Sequence, residues 1–135
     1  MRVPAATVLA VAGLVTLSCG GITDPSKNTV ETFSGTLTVG GQPAVHPFSA
    51  SKTGEISVKV TALSPVSNTF IGLLWAQAQN DGNCAANVQT LQQTLAQLNI
   101  PAIAGPIVSG RYCLFVYDAV GFTAPENYTV TVSHP

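Results

Sequence analysis

The chain has 135 residues, which is enough for one domain of ordinary size and short for two. Only 8% of its residues are charged, with five basic against six acidic side chains and a formal net charge of −1. Domains that bind nucleic acid carry a basic patch or stripe, and this sequence has none, so nucleic acid is not expected as a partner. With so few charges, we expect Ser, Thr, Asn and Gln to cover most of the surface.

The first 18 residues have the order of a secretory signal peptide. Arg2 gives a positive start, residues 3–17 carry no charge and are rich in Ala, Val and Leu, and the small residue Ser18 follows. A single transmembrane helix is the alternative, but it needs about 20 apolar residues, and this shorter run contains a proline and a glycine. We therefore predict a signal peptide over residues 1–18 and an exported protein.

The residues around Cys19 resemble a bacterial lipobox, in which a small residue precedes a cysteine that becomes lipidated. Ser18 fits this pattern, whereas Thr16 and Leu17 depart from it, because the bulky aliphatic residue usually lies one position further from the cysteine. The alternative is ordinary cleavage near this point, with Cys19 lost or left free. We predict lipidation of Cys19 and a tether over residues 19–28, which would attach the protein to the membrane as an outer-membrane or surface lipoprotein. A secreted protein is the alternative.

The three cysteines support this division of the chain. An odd cysteine in an exported protein needs an explanation, and a lipid on Cys19 provides one. Cys84 and Cys113 then form a natural disulfide pair in an oxidising compartment, closing a loop of about 30 residues that would contribute roughly 3–4 kcal/mol to stability. A zinc site is the alternative, but two sulfurs without a neighbouring histidine or cysteine pair suit zinc poorly.

Residues 29–135, which we assign to one domain, contain several stretches in which apolar residues alternate with Ser and Thr. This period of two predicts half-buried antiparallel strands at residues 32–39, 45–50, 55–62 and 127–133. Residues 70–77 and 111–117 are apolar on both faces and predict strands that are covered on both sides. Pro47 cannot donate to a neighbouring strand, so its strand is expected at a sheet edge. Gly, Pro and Asn turns separate the strands, and together they indicate an all-β sandwich.

Residues 87–98 follow a different period. Val88, Leu91, Leu95 and Leu98 step by three, four and three positions, with glutamines between them. That spacing is typical of a short amphipathic helix, which Pro101 would end. We therefore predict one short helical insert at about 87–98, although Gln-rich and Thr-rich segments also form strands.

The strand at 111–117 carries Phe115 and Tyr117 on one face, and its other face is the one expected to join the core. We expect the face with Phe115 and Tyr117 to look outward, together with the Trp75 face of the strand at 70–77. Large exposed apolar patches are unusual, so something should cover them. We predict that the helical insert does so and that the disulfide pins its start.

Two stretches near the end of the chain resemble the bacterial pre-peptidase C-terminal domain. That family ends in a Gly-x-Tyr-x-aliphatic-x-Val strand and a Tyr-Thr-aliphatic-Thr-Val strand, which match residues 110–118 and 127–132 here. Residues 31–37 and 45–48 are similar to the family's first two strands. The chain is also similar to small exported bacterial lipoproteins that carry such a domain alone. The resemblance implies a jelly-roll-like antiparallel β-sandwich.

The same resemblance implies a protein without catalytic activity. The family is a non-catalytic appendage of secreted peptidases and other exported proteins, variously linked with substrate or matrix binding, and some related sandwiches hold calcium or glycans. The matching positions are structural in kind and transfer no active site: Gly110, Tyr112, Val116, Tyr128, Val130 and Val132. The two histidines, His46 and His134, show no Ser-His-Asp context and no Gly-x-Ser-x-Gly elbow is present, so we expect no catalytic residues.

Asp81 and Asp118 are the weak candidates for a calcium site, because calcium prefers oxygen-rich loops. Both lie in predicted loops, and plain turn chemistry is the alternative, particularly for Asp81 before Gly82. We otherwise expect no metal and no cofactor.

Trp75, Tyr117 and Phe122 are candidates for a platform that stacks on sugars, and packing inside the protein is the alternative. Phe122, in a loop after Gly121, is the best exposed of the three by sequence. The sequence thus favours an exported binding or adhesion module for glycan or cell-wall matrix. The alternative is a structural or interaction lipoprotein that binds another envelope protein through a bare strand edge.

Overall fold

The structure is a computed structural model that describes residues 24–85 and 89–135. The predicted signal peptide, the lipidation site Cys19 and the first part of the tether lie outside the described residues. A short 3₁₀ turn at Pro25–Lys27 precedes eight strands. These are β1 (Thr29–Leu37), β2 (Ala44–Ala50), β3 (Gly54–Ser64), β4 (Ile71–Gln77), β5 (Gln89–Ala96), β6 (Pro101–Ile107), β7 (Gly110–Tyr117) and β8 (Glu126–His134). Among the described residues, no helix has the length and apolar character needed to cross a bilayer.

The strands form two antiparallel sheets of four strands each. The first sheet has the order β1-β8-β3-β6 and the second has the order β2-β7-β4-β5. Most connections cross from one sheet to the other, which is the topology of a double-sheet jelly roll. The predicted all-β, jelly-roll-like sandwich is therefore confirmed. The edge position predicted from Pro47 is confirmed as well, because β2 lies at one edge of the second sheet.

The core lies between the two sheets, and every strand contributes at least one buried apolar side chain to it. The centre of the first sheet contributes Val58 and Val60 from β3 and Val130 and Val132 from β8, all fully buried. The second sheet contributes Ile71, Leu73, Leu114 and Val116, which are also fully buried. Valine and isoleucine suit this position because branched side chains pack well on a pleated, half-buried surface.

The helix predicted at about 87–98 is wrong. Gln89–Ala96 forms β5, which pairs antiparallel with β4 and places Leu95 opposite Gly72. Residues 87 and 88 lie outside the described residues. The physical reason is that positions four apart share a face in a strand as well as in a helix, so Leu91 and Leu95 fit both periods. Pairing with the apolar strand β4 decides between them.

The expected outward direction of Trp75 is also wrong. In the register of β4 and β7, Trp75 lies opposite Leu114, and both side chains point into the core. A strand that is apolar on both faces does not reveal by itself which face is inside, and only the pairing settles it. Phe115 and Tyr117 do point away from the core, as expected.

The disulfide between Cys84 and Cys113 is confirmed, with the two Cα atoms 5.7 Å apart. It attaches the loop between β4 and β5 to the outer side of the second sheet. There the backbone N–H of Ala78 donates to the carbonyl of Arg111 (3.0 Å). Cys113 and its neighbour Ala76 are fully buried although they lie on the outer side. The described part of this loop, residues 78–85, covers one end of that face.

Candidate functional site

The two outer faces of the sandwich differ sharply in chemistry. The outer face of the first sheet, which we call the hydroxyl face, carries mainly Ser, Thr and Asn side chains that bond across strands, together with the charged Glu55 and Lys59 of β3 and the exposed Val30 of β1. Ser34 Oγ lies 2.9 Å from Thr129 Oγ1, and Thr36 Oγ1 donates to Asn127 Oδ1 at 2.6 Å. These polar groups are already paired with one another or open to water, as is ordinary for a solvated sheet face.

The outer face of the second sheet, which we call the apolar face, has a different composition. The strand register places Val45, Phe115, Leu74 and Gln93 in one row across all four strands. The apolar face as a whole consists of eight residues: Val45 and Pro47 of β2, Phe115 and Tyr117 of β7, Leu74 of β4, and Leu91, Gln93 and Leu95 of β5. Gln93 is the only one of these eight with a polar amide, and none is charged.

The apolar face is partly open to solvent. Val45, Leu91 and Leu95 keep 40%, 44% and 54% of their surface exposed. Contiguous exposed apolar surface on a small domain commonly marks an interaction site. Arg111 of β7 is a charged residue on the same side of the sheet. Its side chain is turned toward the β4–β5 loop, where its Nη1 donates to the Asp81 carbonyl at 3.4 Å.

Tyr117 is held in place by a glycine and a glutamine. A Cβ atom on Gly72 would overlap the Tyr117 ring, so the ring occupies the space that a side chain would need. The hydroxyl oxygen of Tyr117 accepts a hydrogen bond from Gln93 Nε2 at 2.5 Å. The ring thus lies against β4 with its polar group occupied, and it contributes a fixed apolar surface.

The three aromatic candidates for sugar stacking do not meet on one surface. Tyr117 is on the apolar face, Trp75 is 7% exposed and lies in the core, and Phe122 is partly buried against the core. Trp75 packs 5.7 Å from the Tyr112 ring, and its indole N–H has no hydrogen-bond partner within the described residues. A platform made of Trp75, Tyr117 and Phe122 is therefore not assembled.

The two calcium candidates lie at opposite ends of β7, roughly 20 Å apart along a strand of this length. Asp118 accepts the backbone N–H groups of Val120, Gly121 and Phe122 at 2.7–3.0 Å. Burial alone would raise the pKa of Asp118, but these three donors outweigh it and lower the pKa.

Asp81 has the same kind of role in its own turn. It accepts the backbone N–H of Asn83 at 2.9 Å, and this bond is the main cause of its lowered pKa. Both carboxylates thus shape turns, which is the alternative that the sequence left open. In residues 24–85 and 89–135, no group of three or more His, Cys, Asp or Glu side chains is placed to hold a metal ion.

Both histidines lie in the seam where β1 and β2 meet. His46 Nε2 is 2.8 Å from the Tyr128 hydroxyl, and its ring stacks on Phe33 with centroids 4.7 Å apart. His134, which is 3% exposed, has its Nε2 2.8 Å from Glu31 Oε1. These pairs were not predicted from the sequence, although the alternation that buries Phe48 on β2 also points His46 inward. Their partners, a phenol and a carboxylate, support a structural role.

Several solved structures are similar to this chain. No protein-family profile matches the chain, and no characterised protein matches it in sequence at a significant level. The chain is similar to the pre-peptidase C-terminal domain of a collagenase from Bacillus anthracis, with 20% identity, a TM-score of 0.47 and coverage of 78% of this chain and 87% of that domain. It is also similar to a mitogen derived from Yersinia pseudotuberculosis, with 14% identity, a TM-score of 0.52 and coverage of 80% and 87%.

At these identities the likeness concerns the fold alone. The first of these structures is a solved member of the family that the sequence resembles. The second has a TM-score above 0.5, and it shares the fold of the two-sheet sandwich described above.

Proposed function

We propose that this protein is a non-catalytic binding module of the cell envelope and that its apolar face binds an apolar surface of a partner protein. The observation that carries the proposal is the contrast between the two outer faces. The hydroxyl face is mainly polar and internally paired, with Val30 as its single large exposed apolar side chain among the described residues, whereas the apolar face leaves Val45, Leu91 and Leu95 open to water. Water penalises exposed apolar area by about 25 cal/mol per Å², so covering this face is favourable.

The chemistry of the exposed side chains supports a protein partner over a glycan. Among the large exposed apolar side chains of the described residues, all but Phe70 are aliphatic. Sugar platforms depend on exposed aromatic rings with free polar groups beside them. Here Trp75 is buried and the Tyr117 hydroxyl is already bonded to Gln93, so the apolar face offers aliphatic contact more than stacking.

We also propose that the protein is exported and anchored to the membrane by a lipid. A disulfide is expected in oxidising compartments and is rare in the cytosol, so the Cys84–Cys113 bond supports an extracytoplasmic location. Lipidation at Cys19 would hold the module near other envelope proteins. The histidine contacts inside the sandwich support a role in packing, and the proposal assigns no reaction to them.

Photo-crosslinking in the native envelope tests the proposed face. A photo-reactive amino acid replaces Val45, on the apolar face, or Thr36, on the hydroxyl face, in the full chain. We expect a discrete adduct with a different protein from the Val45 site, and an adduct weaker by an order of magnitude or absent from the Thr36 site. Leu74→Asn should reduce the Val45 adduct because it puts a polar group in the centre of the row.

Equal labelling from both sites would contradict the proposal. A parallel screen of glycans and peptidoglycan covers the alternative. If the protein binds a glycan, and this binding is lost in Phe115→Ala and kept in Thr36→Ala, then the ligand of the apolar face is a carbohydrate and not a protein.

A further inference from the structure

The fourth strand of the second sheet has one unpaired edge. Within residues 24–85 and 89–135, β5 pairs along its length with β4 alone. The next strand in the chain, β6, belongs to the other sheet. An open edge presents a row of backbone N–H and C=O groups that can pair with another strand.

β5 has a bulge near its start, where Leu91 lies between the pairs Trp75–Gln92 and Ala76–Thr90, but from Gln92 to Ala96 it pairs regularly with β4 and lacks the other features that block pairing. Two of the other edge strands contain prolines, Pro47 in β2 and Pro101 and Pro106 in β6, and the third, β1, carries the charged Glu31. Proline and charge are the common means of protecting an edge. β5 has neither, and no charged residue occurs anywhere between Asp81 and Arg111.

The sequence of β5 is nearly symmetric about Gln93. Leu91 and Leu95 lie two positions before and after it, and Gln89 and Gln97 lie four positions before and after it. If β5 meets an antiparallel copy of itself with Gln93 opposite Gln93, then Leu91 lies opposite Leu95 of the second copy. Residues directly opposite each other in antiparallel strands point to the same side, so both leucine pairs form on the outer side.

We propose that β5 pairs antiparallel with β5 of a second copy of this chain, about a two-fold axis at Gln93. A two-fold interface uses the same surface on both subunits, and a near-palindromic strand meets that requirement. The pairing joins two four-stranded sheets into one of eight strands. It removes an open edge and partly covers Leu91 and Leu95, which are the most exposed leucines of the apolar face.

The dimer also gives the apolar faces of two copies a common side. Because the axis runs through the sheet from one side to the other, both outer faces stay on the same side and form one continuous surface. The inference rests on the edge of β5 and does not depend on what the apolar face binds.

Engineered cysteines test the pairing and its register in the full chain carrying Cys19→Ser. Gln93→Cys should form an intermolecular disulfide under mild oxidation, because each new thiol faces its own copy on the axis. Leu91→Cys and Leu95→Cys should crosslink several-fold more when mixed than when either is alone. Thr32→Cys, on the exposed side of β1, is the matched control and should stay monomeric.

Sedimentation of the unmodified chain completes the test. We expect a dimer fraction that rises with concentration and falls in Gln93→Lys, which places two like charges side by side, but not in Thr32→Lys. If Gln93→Cys does not fold, the mixed leucine variants still report the register. A monomer at all concentrations, with crosslinking no stronger than that of Thr32→Cys, would overturn the proposal and leave this edge to a strand of a different protein.

Discussion

His46 illustrates how a titratable side chain is accommodated between the two sheets. Its ring stacks on Phe33 and hydrogen-bonds to the hydroxyl of Tyr128, and Gly35 leaves the space that the Tyr128 ring needs. Partial burial removes water from the imidazole and lowers its pKa below the ordinary value of 6.5. Burial also raises the pKa of Tyr128. The neutral forms of both groups are therefore favoured in the folded protein.

The lowered pKa of His46 predicts a loss of stability in mild acid. Because the folded-state pKa lies below the unfolded-state value, the contribution is complete above pH 6.5 and is lost as the pH falls through the folded-state pKa. We expect the free energy of unfolding to decrease as the pH is lowered, and the decrease to be limited because His46 keeps some solvent contact. Urea unfolding between about pH 5 and 8 measures it.

His46→Gln is the matched control for this pH dependence, since an amide can still hydrogen-bond to Tyr128 and does not titrate. His134 and Glu31 are unchanged in both proteins, so the difference between the two pH curves belongs to His46. Parallel curves for the wild type and His46→Gln would show that burial at this position does not disfavour the charged imidazole.

Among the strands, β4 and β7 show most clearly how two elements define a surface. Gly72 of β4 lies opposite Tyr117 of β7, and the ring of Tyr117 takes the place of the missing side chain. Gly72 and Tyr117 are 45 residues apart in the sequence, so the sequence alone gives no hint that they are in contact. The form of the apolar face near β5 thus depends on one glycine.

Gly72→Ala is expected to lower the free energy of unfolding by about 1–3 kcal/mol, the usual cost of overpacking a filled site. The added methyl group would displace the Tyr117 ring and break its bond to Gln93. In a Tyr117→Ala background the same change should cost little, because the space is empty. Chemical denaturation of the four proteins of this double-mutant cycle measures the coupling. Additive effects would contradict the assigned contact.

The strands also show which features of the fold could be predicted from sequence patterns and which could not. In β8 the strict alternation predicted the inner residues correctly, and the cysteine count predicted the disulfide. In β3 the predicted alternation is correct as far as Val60, but a bulge then leaves Ala62, which was expected to point inward, exposed and buries Leu63 instead. The direction of Trp75 was not predictable because β4 is apolar on both faces. β5 was missed because a four-residue leucine spacing suits a helix and a strand equally. In both cases the deciding contact is with a strand distant in sequence.

The candidate site was even harder to predict from the sequence than the direction of Trp75, because it is formed by strands that are distant in sequence. The apolar face combines residues from four strands, and its row from Val45 to Gln93 exists only in the register of β2, β7, β4 and β5. The sequence did mark Phe115 and Tyr117 as outward and in need of a cover. It could not show that their neighbours are aliphatic or that Trp75 is absent from that face.

At the scale of the whole molecule, the two sheets share one core and the termini of the domain lie in adjacent strands. β1 pairs with β8 from Thr29 opposite His134 to Leu37 opposite Glu126. Ile56 and Leu73, one from each sheet, are both buried in that core. Neither sheet can bury its apolar side without the other, so we expect one cooperative unfolding transition with the disulfide intact.

Substitutions in either sheet should therefore shift every probe together. Ile56→Ala in β3 and Leu73→Ala in β4 should each cost about 2–5 kcal/mol, because each leaves a cavity in the core. Trp75 fluorescence reports the second sheet, and far-UV circular dichroism reports both, so their midpoints should coincide in each variant. Leu95→Ala, at an exposed position, should change stability by less than about 0.5 kcal/mol. If Ile56→Ala moved the dichroism transition and left the Trp75 transition in place, the two sheets would be unfolding separately, and the single shared core would have to be abandoned.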